Sequence, residues 1–268
     1  MRLIAAILAM LTMVGAAHAQ TVRLAVTTSF HNSGLSDILL PAIEDDLGLE
    51  VQLLVVGTGQ ALALGEAGDV DAVLVHSRAA EEAFVAEGYG THRREIMYND
   101  FVIVGPASDP AGVGGAGDLS AALESLAEGT APFVSRGDDS GTHRRERALW
   151  GTIDANADAF DSGWYREAGS GMGATLNTAV GLGAYTLSDR ASWLNFDNKS
   201  DYEILFEGDA ALFNQYAFLP VDPARHPHVK AEAVARLEEW LAGPDGQAMI
   251  DGYRLSGEKL FTANATDP

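Results

Sequence analysis

The sequence predicts an α/β fold with mainly parallel sheets that are covered by helices. Three observations support this prediction. The apolar segments are short, and they show little of the alternation between apolar and polar residues that a half-exposed strand requires. Stretches with the apolar spacing of helices separate many of these segments. Strands and helices that alternate along a chain are typical of a parallel sheet with helices on both faces.

Seven short apolar segments are predicted to be strands, at 22–26, 51–56, 72–75, 101–104, 132–135, 204–206 and 216–221. Eight stretches are predicted to be helices, at 35–47, 60–67, 79–87, 119–127, 142–150, 174–180, 229–241 and 245–253. The turn-rich segment 106–117 follows a strand. It is therefore either a surface loop or the point at which the chain has entered a second lobe.

The composition excludes several classes of protein. The 268 residues are 47% hydrophobic and 21% charged, which is typical of a soluble globular chain with one large domain or two smaller ones. The formal net charge of −21 repels polyanions, so we expect no nucleic-acid partner. The chain has no cysteine, which excludes disulfides, thiolate nucleophiles and Cys-ligated metal sites.

The N-terminus has the pattern of a secretory signal peptide at 1–19. Arg2 precedes an apolar run at 3–15, and Ala-His-Ala follows at 17–19. This pattern predicts cleavage before Gln20 and an exported, periplasmic mature protein. The alternatives are a buried N-terminal helix or a membrane anchor, but the run is short for a hydrocarbon core of about 30 Å.

Four loops are rich in Ser, Thr and Gly, at 27–29, 57–60, 135–143 and 169–175. In open α/β sheets, ligands bind beyond the carboxyl ends of strands, where helix N-termini present free amide groups. The second loop lacks a dinucleotide fingerprint, because Leu62 occupies the position of the third glycine. The glycines of the fourth loop allow close approach of either a ligand or another backbone segment.

The third loop contains Arg136, several hydroxyl groups and the predicted start of a helix. This combination suits an oxyanion that is held by charge-assisted hydrogen bonds. The alternative is a capped surface loop in which Arg136 pairs with Asp138 or Asp139.

Catalytic and metal-binding motifs are weak or absent. Ser140, Asp139 and His143 are neighbours that enter one helix, whereas the members of a catalytic triad usually converge from separate loops. The chain has neither G-x-S-x-G nor H-E-x-x-H. His226 and His228 flank a proline and cannot share a helix face. We therefore predict no enzyme activity, no metal-cation site and no cofactor.

The loops as a set closely resemble a known family. The segments that carry the resemblance are TTS at 27–29, VVGTGQAL at 55–62, DAVLVHS at 71–77, AEGYG at 86–90, MYNDFVIVGP at 97–106, SRGDDSGTH at 135–143 and GMGATLN at 171–177. Their sequences and order are similar to those of the periplasmic tungstate-binding proteins of bacterial ABC transporters. The first motif of that family has three threonines before the serine, and Val26 replaces the first of them here.

The resemblance implies a two-lobed periplasmic-binding-protein fold, type II-like, with the ligand in the cleft between the lobes. The first lobe is expected to contain 22–102 and 214–268, and the second 103–213. The implied function is capture of tungstate, with molybdate as a possible competitor, and delivery to a membrane permease. We expect a monomer. The alternative function is a secreted hydrolase or phosphate-ester enzyme that uses the same anion site.

The resemblance also implies which residues contact the oxyanion. The expected contacts are Thr28, Ser29 and Thr58 from one lobe, and Arg136, Ser140, Gly141 and Thr142 from the other. Further candidates are Thr27, Gly173, Ala174 and Thr175. Serine and threonine hydroxyls and helix-start amides would then replace the water around a tetrahedral dianion.

Overall fold

A computed structural model of the chain describes residues 20–129, 131–161 and 163–266. The predicted signal peptide at 1–19 lies outside these residues. Among the helices of the described part, none has both the length and the apolar character needed to cross a membrane.

The described chain alternates strands and helices for most of its length. The strands are β1 (Gln20–Thr27), β2 (Leu49–Val56), β3 (Ala72–Val75), β4 (Arg94–Pro106), β5 (Phe133–Ser135), β6 (Tyr165–Glu167), β7 (Thr186–Asp189), β8 (Tyr202–Phe206), β9 (Phe213–Pro220), β10 (Arg254–Leu255), β11 (Glu258–Lys259) and β12 (Thr262–Ala263). The α-helices are α1 (Thr28–Asn32), α2 (Ser36–Leu47), α3 (Thr58–Ala67), α4 (Arg78–Ala86), α5 (Leu119–Ala127), α6 (Gly141–Thr152), α7 (Met172–Leu182), α8 (Arg190–Leu194), α9 (Ala231–Ala242) and α10 (Pro244–Gly252). Short 3-10 turns occupy Val113–Gly115, Ala157–Ala159 and Ala210–Leu212.

The first lobe is built on a sheet with the strand order β12-β4-β9-β3-β1-β2. Helices cover both of its faces. The consecutive β1 residues Leu24 and Ala25 point to opposite faces, as the pleat of a strand requires. Leu24 belongs to a core with Leu237 of α9, and Ala25 belongs to a core with Leu62 of α3 and Phe84 of α4.

The long strand β4 connects the two lobes. Up to Asp100 it pairs with β9, and from Phe101 onward it pairs with β7 and β8. Beyond this switch, alternate β4 residues enter two further cores. Ile103 packs in a core with Trp150 of α6, and Val102 packs in a core with Leu176 of α7.

Polar contacts fix the position at which β4 changes partners. The side chains of Asn99 on β4 and Asn214 on β9 are buried and share a hydrogen bond of 2.7 Å. One residue further on, Arg190 of α8 donates two hydrogen bonds to Asp100, at 2.7 and 2.5 Å. Bidentate pairs of this kind define orientation as well as distance.

The two-lobed α/β architecture is confirmed, but the expectation of mainly parallel sheets is wrong. Parallel pairing is limited to β1 with β2 and β3, and β5 with β6, among the described strands. Strand β4 leaves the first lobe and β9 returns to it, so the two strands run in opposite directions. An apolar strand that is buried on both faces has the same composition in either direction, so the sequence pattern could not reveal this.

Most predicted elements match observed ones within a few residues, and the differences have a common cause. The predicted strand 101–104 is only the second half of β4. Strands β6 and β7, helices α1 and α8 and the strands β10 to β12 were not predicted. They span two to five residues each, and segments such as TLSD in β7 and YRE in β6 carry polar residues in short elements. Tertiary pairing rather than local apolar content makes β6 and β7 strands.

Candidate anion-binding site

Strand and helix ends from both lobes surround a cavity of about 720 Å³. Strands β1, β2, β3 and β5 end at this cavity, and helices α1, α3, α4 and α6 begin there. The first amide groups of a helix have no partner within the helix, so they are available to an anion. The lining consists of Thr27, Thr28, Ser29, Gly57, Thr58, Gly59, Gln60, His76, Ser77, Arg78, Ala79, Phe101, Arg136, Asp139, Ser140, Gly141, Thr142, Arg144, Arg145, Ala148, Phe213, Asn214 and Gln215.

The cavity brings together eight of the eleven site residues that the sequence suggests, namely Thr27, Thr28, Ser29, Thr58, Arg136, Ser140, Gly141 and Thr142. They come from three separate loops, and the loops belong to different lobes. Hydroxyls and helix starts therefore converge on one space, as oxyanion binding requires.

The fourth loop is not part of the cavity lining. Gly173 and Ala174 are exposed in the first turn of α7, and Thr175 is buried with its hydroxyl donating to the carbonyl groups of Ser170 and Gly171. The Ser170 amide donates to the Arg136 carbonyl at 3.2 Å. A Cβ on Gly169, Gly171 or Gly173 would meet no atom within 4 Å, so neither a ligand nor another backbone segment accounts for these glycines. Gly169 has a positive φ of 60°, which favours glycine, and the loop bonds to the third loop through Ser170.

The first loop is organised by a hydrogen-bond network centred on Ser29. Its Oγ lies 3.0 Å from Thr27 Oγ1, 3.1 Å from His76 Nε2 and 3.2 Å from the Tyr216 hydroxyl. Thr27 also accepts a hydrogen bond from the Phe30 amide and so caps α1. The hydroxyl of Thr27 is therefore a helix cap, while Thr28 is exposed at the cavity.

His76 is a cavity residue that sequence reasoning missed. It follows β3 directly, at the carboxyl end of a fully buried strand, and its ring lies 4.7 Å from that of Tyr216. Although the ring borders the cavity, burial lowers the pKa of His76 to about 4, and a hydrogen bond that the ring donates to Asn214 compensates only in part. The imidazole is therefore neutral at pH 7 and contributes shape and hydrogen bonding rather than charge. In open α/β sheets, ligands bind beyond the carboxyl ends of strands, and this rule would also have identified His76 from the sequence.

The third loop is a capped helix start with an internal ion pair. Ser140 accepts from the His143 amide and caps α6, and Arg136 Nη2 lies 2.5 Å from Asp138 Oδ2. Burial opposes ionisation of Asp138, but the hydrogen bond from Ser140 and the charge of Arg136 outweigh it and lower the pKa of Asp138. Arg136 Nε is buried without a hydrogen-bond partner among the described residues. The local pairing therefore leaves part of the guanidinium unused.

The two lobes touch at Gly141 and His76. A Cβ atom on Gly141 would lie 2.9 Å from His76 Cε1, which is closer than real Cβ contacts. Displacement of the His76 ring would disturb its hydrogen bond with Ser29 and its packing against the Tyr216 ring. Glycine at the start of α6 thus permits the approach that encloses the space between the lobes.

The arrangement is suited to an anion and not to a metal cation. Hydroxyl protons, amide protons and four arginines, Arg78, Arg136, Arg144 and Arg145, line the cavity. Within the described residues, no group of three or more His, Asp or Glu side chains is placed to hold a metal ion. Hydrogen-bond donors and helix N-termini of this kind can replace the hydration shell of a tetrahedral oxyanion.

Comparison with known proteins places the chain among periplasmic binding proteins. A family model described as a PBP superfamily domain matches residues 14–245. The tungstate-binding protein TupA of Peptoclostridium acidaminophilum is 44% identical over 246 residues, which cover 90% of this chain and 85% of that protein.

Two solved structures are similar in both sequence and fold. The tungstate-binding protein TupA from Desulfovibrio alaskensis is 46% identical, with a TM-score of 0.87 over 92% of this chain and 100% of that one. The tungstate ABC transporter structure from Geobacter sulfurreducens is also 46% identical, with a TM-score of 0.78 over 87% of this chain and 98% of that one.

Gly141→Ala is expected to weaken oxyanion binding at least tenfold, because the added methyl group holds His76 and the start of α6 apart. The melting temperature without ligand should change little. Gly59→Ala is the matched control, since Gly59 lines the same cavity but a Cβ there meets no atom within 4 Å. Isothermal titration with tungstate as the probe ion measures both variants. Equal affinities in the two variants would contradict the proposed role of the Gly141–His76 contact.

His76→Gln is expected to reduce the loss of stability in acid. The folded-state pKa of His76 is about 4, below the unfolded value of about 6.5, so between these values the unfolded chain binds a proton that the folded protein does not. This group's stability contribution is therefore complete above pH 6.5 and is lost as the pH falls toward 4. Between pH 7.5 and 4.5 the wild type should lose roughly 2 to 3 kcal/mol more than the variant. Urea unfolding at both pH values measures the difference, and an equal loss in both proteins would refute it.

Proposed function

The chain belongs to the PBP superfamily and, within it, to the family of the TupA proteins, and from this premise we propose that it captures tungstate outside the cytoplasm for an ABC transporter. The observation that carries the proposal is the convergence of Ser and Thr hydroxyls, helix starts and Arg136 from two lobes on one cavity. Such a site holds a tetrahedral dianion without covalent chemistry.

The proposed contacts are Thr28, Ser29 and Thr58 from the first lobe, and Arg136, Ser140, Gly141 and Thr142 from the second. Thr27 is proposed as a further contact, since it lines the cavity and its hydroxyl lies 3.0 Å from that of Ser29. Gly173, Ala174 and Thr175 are not retained, because none of them lines the cavity.

We propose that the lobes divide at 22–102 with 214–268 and at 103–213. The position at which β4 changes partners, between Asp100 and Phe101, supports the first boundary. The start of β9 at Phe213 supports the second boundary, at which the chain returns to the first lobe. A ligand that contacts both lobes stabilises the closed form by the difference in its affinity for the closed and open states.

The size of the anion supports tungstate over sulfate. Donors that are fixed by mutual hydrogen bonds cannot follow a smaller ion inward, so sulfate leaves some of them at longer distances. Molybdate has nearly the dimensions and the charge of tungstate. It is therefore the expected competitor.

The enzyme alternative receives no support from the family, whose members are solute-binding proteins. Ser29 and His76 do lie within hydrogen-bond distance, as a nucleophile and its base would. However, a histidine with a pKa of about 4 is a weak base at neutral pH, and two other hydroxyls share Ser29 Oγ. The pair is better suited to positioning a donor for an anion.

We further propose periplasmic localisation, with cleavage of the signal peptide before Gln20. The partner is a membrane permease, and the protein acts as a monomer. Gln20 is the first residue of β1, so a chain that begins there retains the complete strand.

Tungstate is expected to raise the melting temperature more than sulfate does. At about 100 times the dissociation constant, the native state gains roughly 2.7 kcal/mol, or about 5 to 10 °C for a chain of this size. Differential scanning calorimetry with each anion at equal concentration and ionic strength measures the effect. Equal shifts would contradict the tungstate assignment and leave a general anion-binding protein.

Arg136→Ala is expected to weaken tungstate binding by about tenfold to a hundredfold, since loss of a charged donor to a desolvated ligand costs about 1.5 to 3 kcal/mol. Arg136→Lys should fall between the wild type and the alanine variant, because an ammonium group cannot donate in the planar, two-pronged geometry of a guanidinium. Isothermal titration measures all three.

Arg147→Ala is the matched control for Arg136, because Arg147 is paired with Asp158 and does not line the cavity. Its affinity should equal that of the wild type. An unchanged dissociation constant in Arg136→Ala would show that Arg136 only stabilises its own loop through Asp138.

A further inference from the structure

Arg145 differs from the other arginines around the cavity in its charge environment. Arg78 pairs with Glu82, Arg136 pairs with Asp138, and Arg144 donates two hydrogen bonds to Asp139. Arg145 has no ion-pair partner among the described residues. Its one hydrogen bond runs from Nη2 to the carbonyl oxygen of Ala211, which is neutral.

The sequence position of Arg145 places it beside the start of α6. It is three residues after Thr142 and four after Gly141, so all three lie on the same helix face. Helical side chains lean toward the N-terminus of their helix, which directs the stem of Arg145 over the turn that Gly141 and Thr142 form. Arg145 therefore lines the cavity next to two of the proposed oxyanion contacts.

The guanidinium of Arg145 is also poorly compensated. Its Nε is buried and has no hydrogen-bond partner within the described part of the chain. Burial lowers the pKa of Arg145, and no neighbouring carboxylate opposes that effect. An unpaired buried charge is costly, and an anion in the adjacent cavity would relieve the cost.

The bond to Ala211 orients this charge. Ala211 lies in the short turn that ends immediately before Phe213, where β9 begins its return to the first lobe. The carbonyl occupies one prong of the guanidinium and leaves the remaining donors free. The charge is thus held at the junction of the lobes.

We propose that Arg145 is a second cationic group of the oxyanion site and that it selects doubly charged tetraoxyanions over singly charged ones of the same shape. The inference rests on the proposed function and names a determinant of its specificity. The hydroxyls and amides recognise shape, and the paired arginines contribute little net charge because carboxylates neutralise them. Arg145 supplies the positive charge that remains, and its attraction is about twice as large for a dianion as for a monoanion at the same distance.

The test compares tungstate, a dianion, with perrhenate, a monoanionic tetraoxyanion of closely similar geometry. Isothermal titration of the wild type, Arg145→Gln, Arg145→Lys and Arg144→Gln gives the ratio of the two affinities for each protein. Arg145→Gln should lose about tenfold to a hundredfold in tungstate affinity and clearly less in perrhenate affinity, so the ratio falls. Arg145→Lys keeps the charge and should keep most of the ratio.

Arg144→Gln is the matched control, since Arg144 is the adjacent residue, lines the same cavity and is neutralised by Asp139. It should leave the ratio nearly unchanged. A ratio in Arg145→Gln equal to that of the wild type, or a fall in Arg144→Gln as large as in Arg145→Gln, would overturn the inference.

If Arg145→Gln does not fold, Arg145→Met, which keeps a long unbranched side chain without the charge, decides the question. Equal losses of tungstate and perrhenate affinity in that variant would mean that Arg145 serves only to hold Ala211, and the inference would be wrong. Failure of the proposed function is distinguishable, because it appears in the wild type as absence of tungstate binding.

Discussion

The cost of removing a doubly charged anion from water is the constraint on which the binding site depends. The chain has a net charge of −21, so the overall field of the protein opposes the ligand and only local donors can compensate. These donors must come from several strand and helix ends at once. The geometry of β4 makes this possible, since the strand leaves one sheet after Asp100 and joins the other at Phe101. Strand ends of both lobes thereby face the same cavity.

Mutual hydrogen bonds prepare the donors before any ligand arrives. Thr27 and Ser140 each accept a hydrogen bond from a backbone amide as a helix cap, which fixes the positions of their hydroxyl groups at the cavity. Ser29 is fixed by contacts to three side chains. Side chains that are already ordered lose little conformational entropy on binding, and they can therefore distinguish anions by size.

The sequence predicted the parts of the site that depend on local chemistry. Hydroxyls and glycines after apolar strands identified three loops that do line the cavity, since strand ends and helix starts are encoded by adjacent residues. Of the cavity residues that were missed, His76 could have been found, since it directly follows the predicted strand 72–75. Two others depend on tertiary structure: Arg145 depends on which face of α6 is turned inward, and Asn214 depends on the antiparallel return of β9. Glycines also occur where only the backbone angle requires them, as at Gly169 with its positive φ, which explains why the loop around Gly173 was included among the candidate contacts.

Selectivity among anions follows from how the positive charge is distributed. A cavity with several unpaired arginines would attract any anion, because a charge at short range acts whatever the shape of its partner. Here carboxylates neutralise Arg78, Arg136 and Arg144, while their planar donors remain oriented. The neutral ring of His76 lines the cavity without adding charge. Neutral donors then discriminate between anions by their shape. The one uncompensated guanidinium of the described lining discriminates between them by their charge.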